Sequence, residues 1–82
     1  MHQLTLQDNA TKLSRQRRTV LGYIRDCKTA GATDFEIQIA LGWDGNTERP
    51  RRLELQHAGR IRDSGRKRAT PLGGQATVWV VS

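Results

Sequence analysis

The sequence predicts an α+β domain in which three helices precede a two-stranded β-hairpin. Three observations lead there. Val20, Leu21, Ile24 and Cys27 recur at helical spacing. Thr33-Asp34-Phe35-Glu36 has the form of a capping box that opens a second helix. Gln75–Val81 carries the β-branched and aromatic residues of a strand, behind a loop rich in Gly, Ser and basic residues.

The elements follow in order. Residues 1–13 are mostly polar and read as a flexible arm, with Leu4 and Leu6 available to dock; residues 14–82 form the domain. Ser14 is a candidate N-cap, and the first helix is expected over Arg15–Ala30, stopped by Gly31. The second helix is expected over Asp34–Leu41 and ends at Gly42. On its wheel Ile37, Ala40 and Leu41 share one face, while Phe35 and Ile39 lie nearly opposite, which is unusual for a short surface helix. Trp43-Asp44-Gly45-Asn46 reads as a tight turn. Pro50 constrains the third helix, because proline is tolerated where its missing N–H has no intrahelical partner. That favours Thr47 as N-cap, a helix over Glu48–Ala58 and a stop at Gly59. Arg60–Asp63 alternates as a short strand, Ser64–Gly74 is a loop with a basic tip, and Gln75–Val81 returns as the second strand.

Composition narrows the function. At 82 residues the chain is one domain, and a deep substrate cavity is hard to enclose at this size. The formal net charge is +6, with 14 Lys+Arg against 8 Asp+Glu. Residues 1–48 are balanced, so the surplus lies in residues 49–82, where the only acids are Glu54 and Asp63. Such a balance suits nucleic acid. The single cysteine, Cys27, excludes an internal disulfide, and His2 and His57 share no ligand spacing with it, so neither a metal nor another cofactor is expected. No apolar run approaches a membrane span and no signal peptide is visible, which points to a cytoplasmic protein without a membrane partner. There is no paired-carboxylate or Cys–His constellation and no phosphate-cradling glycine loop, so neither an enzyme nor a small-molecule substrate is expected.

Ser14–Val81 resembles the winged helix-turn-helix family of DNA-binding proteins. The resemblance rests on Thr33-Asp34-Phe35-Glu36-Ile37-Gln38-Ile39-Ala40-Leu41-Gly42, on Asn46-Thr47-Glu48-Arg49-Pro50-Arg51-Arg52-Leu53-Glu54-Leu55, and on the exit Ala58-Gly59-Arg60-Ile61. The segment also resembles small phage and actinobacterial members of that family. The chain departs from the family at Arg60, where a hydrophobic residue is usual. The resemblance implies a third helix in the major groove, a wing on the backbone or minor groove, and a regulatory or recombination-accessory role.

The residues agree with a double-stranded DNA partner. Asn46 and Thr47 at the helix start serve as caps, as contacts to phosphate or base, or as both. Arg49 and Arg52 are expected to face DNA, and Arg51, four residues before the core position Leu55, to be partly structural. Gln56 can read adenine, Glu54 can accept from cytosine or orient Arg51, and His57 is more often a solvated side chain than a base reader. Arg66, Lys67, Arg68 and Thr70 suit phosphate or a narrow minor groove. Arg15, Arg17 and Arg18 oppose the helix dipole, so an adjacent phosphate or a solvated end must offset them. Trp43 and Trp79 are expected in the core. Phe35 and Ile39 suggest an alternative or additional role as a protein-interaction or dimerisation face. Structured RNA is the other competing partner.

Overall fold

The computed structural model describes the backbone of residues 2–82 and the side chains from Thr11 onward. Among the described residues the order is α1 (His2–Asp26), a 3-10 turn (Lys28–Ala30), α2 (Asp34–Leu41), α3 (Gly45–His57), β1 (Ile61–Ala69) and β2 (Gln75–Val81). The strands pair antiparallel, Ile61 opposite Val81 and Ala69 opposite Gln75. Three helices followed by a hairpin are the expected α+β arrangement and are consistent with a winged helix. None of the described helices is long and apolar enough to cross a membrane.

The helix expected from Arg15 begins at His2, so the segment read as a flexible arm is helical. No proline or glycine precedes Gly22, so nothing in the chain interrupts the helix there. Ser14 consequently caps nothing; its hydroxyl accepts from the Arg17 guanidinium at 3.1 Å. The docking proposed for Leu4 and Leu6 falls on side chains outside the described residues. At the other end α1 stops at Asp26, short of Ala30, and the chain tightens into the 3-10 turn. Gly31 then takes φ 66°, and a side chain there would collide with the Trp79 carbonyl and the Val78 and Val80 methyls. That close approach lets Ala32 exchange two hydrogen bonds with Trp79, at 3.0 and 2.8 Å, tying the hairpin to the helices.

The capping box forms as expected. Thr33 Oγ1 accepts from the Glu36 amide at 3.2 Å and Glu36 Oε1 accepts from the Thr33 amide at 3.1 Å. Ile37 is buried and Leu41 half-buried against the core, but Ala40 is exposed.

The third helix starts earlier than expected. Asp44, not Thr47, is the N-cap, its carboxylate accepting from the Thr47 amide at 2.9 Å. Pro50 therefore lies inside α3. It deprives the Asn46 carbonyl of its intrahelical donor, yet Asn46 is exposed, so water can take that acceptor. Gly59, at φ 73°, ends the helix where expected.

The core comprises Val20, Leu21 and Ile24 of α1, Ala32, Ile37, Leu55, Ile61 and Trp79, with Tyr23, Cys27, Leu41 and Trp43 packed around it. Both tryptophans thus serve the core. Arg60 is exposed just before β1, and Ile61 supplies the buried contact instead, so the departure at Arg60 leaves the hairpin packed.

β1 runs well beyond Asp63 and absorbs most of the expected loop. An irregularity between Asp63 and Lys67 takes up the extra residues. It is closed by two local bonds: Asp63 Oδ1 accepts from the Gly65 amide at 2.8 Å, and Ser64 Oγ from the Arg66 amide at 3.1 Å. The tip is therefore Thr70–Gly74, and the basic residues lie along the strand behind it.

Candidate nucleic-acid interface

The three arginines of α3 have different surroundings. Arg51 is fixed: its guanidinium makes two 2.9 Å bonds to the Glu54 carboxylate and one of 3.1 Å to Gln16, and its side chain is only 12% exposed. Those bonds hold the Glu54 carboxyl below the usual carboxylate range, with help from Arg17 at 2.9 Å. The partly structural role expected of Arg51 is what its contacts show.

Arg52 was expected to face outward and does not. It forks onto Asp34 through two 2.9 Å bonds, donates to Gln56 Oε1 at 3.0 Å, and lies 4.6 Å above the Trp79 ring. Its side chain is 15% exposed. One guanidinium thus joins α2, α3 and β2, combining a bidentate ion pair with a cation–π contact. Arg49 alone of the three is exposed and free of a carboxylate among the described residues. Its guanidinium folds back over Gly45, where a β-carbon would meet Nη1 at 2.5 Å.

Beside the Asp34–Arg52 pair sits a group that sequence reasoning missed. Glu48 is fully buried. Gln38 Nε2 donates to its Oε1 at 3.0 Å, but no donor faces Oε2. Burial, reinforced by the neighbouring Asp34 carboxylate, pushes the carboxyl up to about 8. Burial thus favours the neutral form of Glu48 over the carboxylate. The helical wheel held the signal, since Glu48 lies seven residues before the core position Leu55 and on its face.

Every carboxylate within α2 and α3 is accounted for. Asp34, Glu36 and Glu54 are ion-paired and Glu48 is buried. The outward stripe of α3 is Asn46, Arg49, Leu53 and His57, with Gln56 half-buried at its edge. Thr47, which was expected among the contacts, is half-buried, and its amide is held by the Asp44 cap. Leu53, 43% exposed, is an addition to the expected set; the wheel places it well away from Leu55.

The hairpin residues divide in the same way. Arg68 turns back onto the helices, clamping Glu36 at 2.5 and 2.7 Å and donating to the Ala30 carbonyl at 2.7 Å. Arg66 donates to the Thr29 carbonyl and remains exposed. Lys67 reaches across the strands to Thr77 Oγ1 at 2.9 Å and is exposed. Thr70 closes the turn, its amide donating to the Gly74 carbonyl at 2.9 Å and its hydroxyl accepting from the Gly74 amide at 3.2 Å. Within the tip Leu72 is 93% exposed and no basic residue is present, so the tip is apolar rather than basic.

Further cations lie at the other faces. Arg17, Arg18 and Arg60 line a cleft of about 450 Å³ between α1 and α3, above Leu21 and Leu55. Phe35 and Ile39 of α2 are exposed, 37% and 68%, on the face away from the core, as the wheel predicts. Comparison with models of known protein families, with curated proteins and with solved structures finds no match to the chain.

Proposed function

We propose that the protein binds double-stranded DNA as a winged helix, with the outward stripe of α3 in the major groove and the hairpin along the backbone or minor groove. The observation that carries this reading is the charge state of α2 and α3. With the carboxylates of α2 and α3 paired or buried, the exposed stripe offers Asn46, Arg49, Leu53 and His57, with Gln56 at its edge, and carries no carboxylate of its own; Asp44 at its start is held as the N-cap.

The stripe has the chemistry of base readout. Arg49 can fork onto guanine, Asn46 and Gln56 can pair with adenine, and Leu53 can lie against a thymine methyl. Lys67 supplies charge to a phosphate, and Leu72 gives the tip an apolar side chain suited to a minor groove. In this reading the protein acts by occupying a site, in a regulatory or recombination-accessory role. Exposed Phe35 and Ile39 favour a second surface for a protein partner or a second copy.

Selection of bound duplexes from a random pool tests the reading. A defined motif of a few base pairs is expected, and Asn46→Ala should relax it at one position. Recovery of unenriched sequence, or tighter binding to duplex RNA than to duplex DNA, would count against it.

A further inference from the structure

A second basic surface lies away from α3. A groove of about 460 Å³ is walled by Arg25 at the end of α1, Lys28 and Thr29 of the 3-10 turn, and Arg62, Ser64 and Arg66 of β1, over a floor of Val80 and Val81. Among the described residues, four cations and no carboxylate line it. The fold builds this convergence from three places. Lys28 takes a left-handed conformation, φ 53°, that turns the chain at the rim. The irregularity in β1, held by Asp63 and Ser64, places Arg66 within reach of the Thr29 carbonyl. Val80 alternates with Trp79 along β2, so it faces the side of the sheet opposite the ring that Arg52 covers. On its Val80 side the groove therefore lies on the face of the hairpin away from that ring, and among the described residues none of its lining belongs to α3.

We infer that this groove is a phosphate-binding site. Four like charges converging on a half-apolar groove repel one another, and a ligand bearing two or more phosphate charges relieves that repulsion. Ser64 and Thr29 add hydroxyls at the rim. The source that fits the rest of the molecule is a phosphodiester backbone, which rests on the duplex-binding reading. The groove would then hold a stretch of backbone other than the one beneath α3, either further along a bent duplex or on a second one.

The test uses the full chain with Lys28→Gln and Arg62→Gln together. Both side chains are exposed and make no ion pair among the described residues. Lys12→Gln with Arg15→Gln removes the same charge roughly 20 Å away along α1. Duplex affinity is measured for all three proteins across a range of salt. The groove variant should bind at least about tenfold more weakly at 100 mM salt, with a log–log slope shallower by about 2. The matched variant should change less. An unchanged slope and affinity in the groove variant, or an equal loss in both variants, overturns the inference.

A second arm separates the two readings. Tripolyphosphate is titrated against the amide resonances of Thr29, Val80 and Val81. If the wild-type protein binds no duplex, the duplex reading fails by itself. Shifts with tripolyphosphate that vanish in the groove variant would then assign the site to a free phosphate compound. Absence of both duplex binding and shifts removes the site altogether.

Discussion

Replacing Glu48 with glutamine should stabilise the protein by about 3–5 kcal/mol at pH 8.5 and by little at pH 4.5. The folded carboxyl is pushed up to about 8, while the unfolded chain ionises near the ordinary value of 4.5. Between those values the unfolded state has released its proton and the folded state has kept it. The contribution of Glu48 to stability is thus fully present below about pH 4.5 and is lost as pH rises toward 8. Glutamine does not titrate. It can keep the acceptor that Gln38 uses and offer its amide hydrogens where the acid proton stands toward Asp34. Urea denaturation of both proteins from pH 4.5 to 8.5 reads the difference directly. A stability gap that stays constant with pH would show that Glu48 is ionised in the fold.

Methionine at Arg52 and methionine at Arg49 should have opposite consequences. Arg52→Met removes the fork onto Asp34, the bond to Gln56 and the charge above Trp79. It leaves the Asp34 carboxylate, 22% exposed, without its counter-ion and beside Glu48. A loss of about 2–4 kcal/mol follows, since breaking a largely buried pair strands one charge. Arg49→Met touches no ion pair and should leave stability within about 0.5 kcal/mol. It should instead weaken binding to a selected duplex by about 1–3 kcal/mol, through one lost guanine contact. Thermal or urea unfolding, paired with duplex titration, separates the two. Equal stability losses in both variants would contradict the division of the α3 arginines drawn from their contacts.

What could be read in the sequence was what is local. The Thr33–Glu36 capping box needs only four residues and formed as expected. The stop at Gly59 and the outward Phe35 and Ile39 follow from one turn and one wheel. Arg51 was legible because its core neighbour Leu55 lies on the same helix. The partners of the other arginines are far away along the chain: Asp34 is 18 residues from Arg52, Glu36 is 32 from Arg68, and Glu54 is 37 from Arg17. Helical spacing cannot show that such carboxylates will meet those guanidiniums. The start of α3 at Asp44 is not legible from Pro50, because a proline inside the helix excludes that start only if the carbonyl it leaves bare is buried. The affected carbonyl belongs to Asn46, at the surface, where water is available. The wing tip lies further along than Gly65 suggests, because that glycine sits inside an irregular strand at φ 84° rather than in a loop. On α3 the free charge therefore narrows from three arginines to Arg49, and the rest lies on the hairpin and the groove beside it.

The central claim, that this is a duplex DNA-binding protein, is tested most directly by titrating the full chain against a fixed duplex at several salt concentrations. About five phosphate contacts, spread over the α3 side and the hairpin, predict a log–log slope near −4.5. A salt-independent affinity, or no binding to duplex at 50 mM salt, would contradict the account.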